Sequence, residues 1–304
     1  MPRRGAGRLA AAALAVSLAS AADAELAIEI EAPERLQPAA ARTRAAVPDL
    51  AAMLELLGGP PTPVRVRIVL AEEGSEPAGR VPSWVAAYAV PPLDTIVVFP
   101  ARTPTYPDRN LPTLLAHEIA HLLVFRASGG ARLPRWFEEG VATVGAREWG
   151  LEDGARFAAA VLGPGPKTLE EVERGFALDP PRVARSYALS AALVRYLLRL
   201  AGPDAVAVLL ARVRRGESFE TAFLRTAGRP LVRFEADFFG DEVIWRTWVP
   251  VLSSTAALWT LITGLALVAI WRRRRRDAEI RARWAEEESA PEPGPAEEDP
   301  RRWN

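Results

Sequence analysis

Before residue 100 apolar side chains recur at every second position in short segments; beyond residue 110 they recur every three to four. Leu26, Ile28 and Ile30 alternate with Glu29 and Glu31, and residues 64–70 read Val-Arg-Val-Arg-Ile-Val-Leu, so each segment is a strand with one buried face. Residues 84–90 and 95–99 are two more strands. Pro91-Pro92-Leu93-Asp94 between them marks a β-hairpin or two edge strands with a wide turn. From about Leu111 helical spacing takes over: 111–127, halted by Gly129-Gly130, then 134–149, 168–175, 185–201, 204–215, 218–227 and 230–247. Thr168 with Glu171 is a capping-box signature, and Gly202-Pro203 separates two of the later helices. A mixed sheet followed by helices is an α+β order of elements, without internal repeats, and predicts one domain over residues 25–247.

Two apolar runs stand outside this pattern. Arg3, Arg4 and Arg8 precede an Ala/Leu-rich run over residues 9–22, and Ala22-Asp23-Ala24 offers small residues where a signal peptidase cuts, so residues 1–24 read as a signal peptide. Residues 249–270 carry no charge; at ~1.5 Å per residue they cover ~33 Å, enough for a hydrocarbon core of ~30 Å. Trp248 and Trp271 bracket this run and Arg272–Arg276 follow it, so residues 248–271 are expected to be a transmembrane helix with its C-terminal end in the cytoplasm. The 25–247 domain then lies outside the cell membrane, periplasmic or at the cell surface. Residues 272–304 mix Glu, Arg, Pro and Ala with almost no aliphatic side chains, the composition of a disordered cytoplasmic tail.

The charge balance is even, 38 basic against 38 acidic residues, which removes nucleic acid as a partner read from electrostatics. All but one of the basic residues are Arg, the exception being Lys167, so lysine chemistry is not indicated. Cysteine is absent, which eliminates disulfides, thiol nucleophiles and thiolate metal sites. Any bound metal must sit on nitrogen and oxygen.

The chain has two histidines, and both fall in His117-Glu118-Ile119-Ala120-His121, an H-E-x-x-H motif within the 111–127 helix. Positions i and i+4 share a helix face, so both imidazoles can converge on one ion; Glu118 projects about 100° round the axis, where it reaches a water on that ion without ligating it. Catalytic zinc takes three protein ligands and a water, so an oxygen donor is missing. A third His of the metzincin kind is excluded, because Ala127 and Val124 stand at its His and Gly positions. The downstream candidates are the neighbours Glu138 and Glu139 in Leu133-Pro134-Arg135-Trp136-Phe137-Glu138-Glu139-Gly140-Val141-Ala142; they point about 100° apart, so only one can face the ion. Gly140 would allow this helix close to the His helix.

His117-Glu118-x-x-His121 followed by Trp136-Phe137-x-Glu139-Gly140-Val141-Ala142 resembles the gluzincin zinc peptidases, especially the peptidase MA-like group, over roughly residues 64–202. The resemblance implies a zincin-like fold, with the active-site helix after an N-terminal mixed sheet and a helical subdomain behind it. It implies peptide or protein substrates, Zn2+ held by His117, His121 and Glu139, and Glu138 as a solvent-side neighbour. One departure is Thr143, which stands where some gluzincins place a carboxylate behind the histidines, so their orientation must come from elsewhere.

Peptide hydrolysis also needs a donor for the oxyanion. Tyr88, Tyr106, Tyr187, Tyr196 and Arg185 are the candidates; Tyr187, at the head of the helix beginning near Ser186, matches the place from which similar gluzincins supply a tyrosine. Either 95–99 or its partner around 84–88 would offer a sheet edge for an extended substrate. A non-catalytic, zinc-stabilised ectodomain for binding or envelope sensing is the alternative, disfavoured by Glu118, since a structural site has no use for a base. An intramembrane protease, with Asp179 in its second motif, would need a longer apolar helix than the ~22 Å available around the histidines.

Overall fold

Strands β2 (Leu26–Glu31), β3 (Val64–Leu70) and β5 (Thr95–Val98) pair in parallel, and β4 (Ala87–Val90) closes one side antiparallel to β5. With β1 (Leu14–Ser17) antiparallel to β2 at the other side, the order is β1-β2-β3-β5-β4 in a computed structural model that describes residues 14–17, 26–59, 64–162, 165–242, 259 and 262–276. The hairpin expected between residues 84 and 99 is present, and β4 rather than β5 carries the free edge. Its turn runs through Pro91–Leu93 to Asp94 in the left-handed region at φ 47°, a conformation that Asp tolerates better than most side chains.

The period-2 pattern has the consequence expected of it. Ile28, Ile30, Val66, Ile68, Ile96 and Val98 face one core, while Arg65 and Arg67 on the same strands stay exposed. Onto that face packs α4 (Leu111–Ala127), whose contacts include β4, β5 and the hairpin turn. Asn110 caps it by accepting the Thr113 N–H at 3.0 Å, and Thr113 Oγ1 accepts the Asn110 N–H at 3.3 Å. At the other end Gly129 and Gly130 both adopt positive φ, and Gly130 N–H returns to the Phe125 carbonyl at 2.7 Å. Arg126, in the last turn, forms a two-point ion pair with Asp94, tying the helix to the hairpin turn.

The helical half is built on α5 (Arg135–Ala146), which lies between α4 and the long α8 (Pro180–Ala201). Trp136, Phe137, Phe219, Phe223 and Phe234 stack edge-to-face and tilted in one aromatic core drawn from α5, α10 (Phe219–Ala227) and α11 (Leu231–Asp237). Around these stand α7 (Leu169–Gly175) and α9 (Ala205–Arg214). At α7 Thr168 accepts the Glu171 N–H as expected, but the Glu171 carboxylate returns to the amide of Lys167, one residue short of a full capping box.

Several boundaries differ from the sequence reading. The 134–149 helix stops at Ala146, where Arg147 becomes extended, and a separate α6 (Leu151–Leu162) follows. The 230–247 helix ends at Asp237 in a wider, π-type turn broken at Gly240, and 243–247 lie outside the described residues. Short helices α1 (Gln37–Ala45), α2 (Ala51–Leu56) and α3 (Glu76–Gly79) connect the strands. Helix α8 begins at Pro180, because Asp179 accepts the Arg182 N–H at 3.1 Å as its cap and Pro at the first position is tolerated there. Asp179 thus has a capping role, and Tyr187 lies two turns into the helix instead of at its head.

The chain divides into two units, residues 1–243 and 244–304. Of the expected signal peptide only 14–17 are described. In the second unit 262–276 are helical, so the helix runs through the Arg cluster that had been assigned to the tail. Among the described residues no helix is long and apolar enough to cross a membrane; residues 249–258 and the tail beyond 276 lie outside them.

Candidate active site

Helix α4 presents His117 and His121 one turn apart on the face turned to α5, their rings 4.9 Å between centroids and nearly perpendicular. Glu139 on α5 meets both: its Oε2 lies 3.3 Å from His117 Nε2 and 3.4 Å from His121 Nε2. One ligand atom from each of the three residues lies within 4.8 Å of the others, and His117 and Glu139 are buried. Two imidazole nitrogens and a carboxylate oxygen, converging without a lysine or arginine among them, suit a divalent zinc ion. Of the adjacent acids Glu139 is the one that faces the histidines. Glu138 is not simply solvent-side: it is half-buried in the cleft wall, and burial pushes its carboxyl up.

Glu139 is set in place by α8. A methyl group on Gly140 would lie 2.6 Å from Val194 Cγ2 and overlap the Ser190 backbone carbonyl, so the glycine brings α5 against α8, not against α4 as its sequence position suggested. Gly140→Ala should therefore lower folding stability by about 2–3 kcal/mol through overpacking against backbone. An unchanged denaturation midpoint would contradict this close approach. At the start of α5 the Trp136 N–H, one of the unpaired first-turn donors, goes to Glu173 Oε1 of α7 at 2.8 Å. Arg135 also braces Glu139, with Nε 3.2 Å from its Oε1 and its guanidinium 4.6 Å above the Phe176 ring.

The charges of the cluster follow from burial against pairing. Burial pulls the His117 imidazolium down, but Asp108, then Glu139 and Glu118, outweigh it and hold its pKa up at about 9. His121 is raised by Glu139 against the same penalty. For Glu139 burial would raise the carboxyl, yet the two histidines hold it well below the usual range. Glu118 goes the other way: burial dominates and raises it, the histidines only partly compensating. Side by side are thus a carboxylate held ionised and a carboxyl of raised proton affinity.

The cleft above the histidines has a volume of about 1170 Å³, and β4 forms one wall through Ala86, Ala87, Tyr88 and Ala89. Phe99 N–H donates to the Ala86 carbonyl at 2.9 Å. Because bonded and non-bonded pairs alternate in an antiparallel ladder, Ala87 and Ala89, opposite Val98 and Ile96, turn their N–H and C=O groups away from β5 to the open edge. The Ala89 amide is near enough to favour the ionised Glu118 carboxylate.

Among the oxyanion candidates, Tyr187 stands beside the histidines, its ring edge-to-face with His117 at 5.9 Å and with Phe176 at 5.3 Å. Ser186 next to it fixes the turn by donating to the Val172 carbonyl at 2.9 Å. Burial and the neighbouring carboxylates push the Tyr187 hydroxyl well above its ordinary pKa, so it stays protonated. Tyr196 is packed against Phe234 and Phe238, and neither it nor Arg185 is among the residues lining the cleft. Tyr88 and Tyr106 line the cleft, Tyr88 packed against Phe99 and Tyr106 between two arginines. Thr143 is buried with its hydroxyl unpartnered and orients no histidine. Asp108, which no motif singles out, lies 3.9 Å from His117 Nδ1 instead.

A family model described as Peptidase MA superfamily matches residues 81–251, more than half of the chain, from the approach to β4 through the last described helix of the first unit. No curated protein sequence matches the chain.

Proposed function

The chain belongs to the Peptidase MA superfamily, and from that premise we propose that it is a zinc-dependent, gluzincin-type peptidase anchored in the cell membrane with its catalytic domain outside. The observation that carries the reading is the convergence of His117, His121 and Glu139 at the floor of a cleft bounded by a free strand edge. A zinc ion bound there supplies Lewis acidity toward a carbonyl and makes a water acidic enough to attack at neutral pH. The protein's own residues do the rest. The open edge of β4 pairs with an extended peptide and lays its backbone across the histidines. Glu118, adjacent to His117 and of raised proton affinity, takes the proton of the attacking water and returns it to the leaving amine. Tyr187, held protonated between Phe176 and His117, donates to the oxygen that becomes negative.

Anchoring rests on the uncharged run 249–270 and the Arg cluster behind it. Residues 262–270 of that run are an apolar stretch of helix. Residues 1–24 would direct the chain to export.

Full-length protein purified in detergent is expected to carry about one zinc per chain and to cleave unstructured peptides, with cleavage abolished by a chelator and restored by zinc. Cleavage that persists after complete removal of the metal would rule the reading out, as would a protein that holds no zinc.

A further inference from the structure

The site leaves two buried polar atoms facing one another. His117 Nδ1 and Asp108 Oδ1 are 3.9 Å apart, and neither has a hydrogen-bond partner. Asp108 is 8% exposed although it belongs to the connection between β5 and α4, where an acidic residue ordinarily points to water. The connection is pinned on both sides of it. The Tyr106 ring packs under the Arg156 guanidinium at 4.4 Å and beside that of Arg147 at 5.6 Å. Arg147 in turn makes two 2.6 Å bonds to the buried Asp153 carboxylate at the start of α6. Arg109 Nη2 lies 3.5 Å from the same carboxylate. With residues 106 and 109 held against the α6 end, Asp108 is directed inward at the imidazole.

We propose that Asp108 is the positioning residue of the metal site described above, accepting the Nδ1–H of His117; the assignment rests on that site being a zinc site. A neutral imidazole has one N–H, and His117 has its Nε2 on the Glu139 side, 3.3 Å from the carboxylate. Only with the proton on Nδ1 does Nε2 offer a lone pair to an ion. A carboxylate on the Nδ1 side selects that tautomer, fixes the ring plane and makes Nε2 a stronger donor. Asp108 thereby supplies from in front of α4 what Thr143, behind Glu139, does not.

Two measurements test this, one by chelator competition for zinc and one by 15N NMR of the imidazoles; with two histidines in the chain the spectrum holds only two ring systems. Zinc-loaded parent protein should show His117 protonated at Nδ1, with the proton shifted as in a carboxylate hydrogen bond. Asp108→Ala should bind zinc about 10–100-fold more weakly and lose that signal. Asp108→Asn, which keeps an acceptor oxygen, should retain the tautomer and fall between the two in affinity. The metal-free denaturation midpoint of Asp108→Ala should move little, because removing a buried carboxylate with an unpartnered oxygen offsets the loss of its charge beside His117. Parental zinc affinity in Asp108→Ala, or a lowered midpoint with unmoved affinity, would overturn the assignment and leave the peptidase reading standing. If the alanine variant does not fold, a zinc-loaded parent without the Nδ1 proton overturns it equally. A parent that binds no zinc would take down both.

Discussion

Glu118→Gln is expected to lower kcat for peptide hydrolysis by about 10³-fold, within the roughly 10²–10⁴ that a positioned acid–base group contributes, while KM and zinc content stay as in the parent. The glutamine nearly matches the glutamate in shape and still offers an oxygen toward the Ala89 amide, so the packing of α4 against β4 is retained. What disappears is an atom that can hold a proton. Glu118 is buried, its carboxyl is raised by that burial, and it stands apart from the His117, His121 and Glu139 group. Turnover within tenfold of the parent would remove Glu118 as the base. Loss of zinc from this variant would show instead that Glu118 ligates the ion.

Zinc affinity is expected to fall at least about tenfold for each unit of pH below 9, and so by at least a thousandfold at pH 6, as the proton on His117 and, lower down, that on His121 compete with the ion. The sign follows from His117. Its folded pKa is raised from 6.5 to about 9, so throughout the neutral range the metal-free ring carries a proton that the ion must displace. His121 is raised in the same direction, and Glu139, held well below its ordinary value, remains ionised and adds no competing proton. The metal-free fold responds oppositely. Stability from the raised His117 is complete below the unfolded value of 6.5 and lost as pH rises through about 9. That from the depressed Glu139 is present above the ordinary carboxylate range and lost in acid. The metal-free protein is therefore weakest against alkali just where zinc binds best. Chelator competition at pH 6, 7, 8 and 9 gives the slope; a flat profile would mean that the histidines are already neutral before the ion arrives.

What was legible from sequence was local. The 111–127 helix is legible to within about a residue, because its cap, its first-turn proline and its terminating glycines are all contiguous with it. Strands β2 and β3 were legible because a two-residue period needs only a handful of positions to declare itself, whereas β1 falls in the run read as a signal peptide. The site was legible as far as helices carry it: His117 and His121 share one face by period, and the block around Glu139 is a single turn. Features that depend on a distant partner were not. Asp108 lies in a connection without periodicity, and its meaning comes from a histidine one helix away. Gly140 was correctly taken for a close-contact residue but assigned to the wrong neighbour, since nothing in the local pattern says that Ser190 will be opposite it. Helix α8 begins at Pro180, ahead of the expected 185, because at the first positions of a helix proline removes no needed bond.

The edge strand β4 is four residues long, and its outward groups at Ala87 and Ala89 have small side chains beside them. A polypeptide that joins such an edge must give up any helix or sheet of its own over a comparable stretch, roughly 13 Å of extended chain. A natively packed protein meets that demand only at frayed ends, slack connections or after damage. The first thing such a cleft discriminates is then whether a chain is folded at all, ahead of the identity of any residue in it.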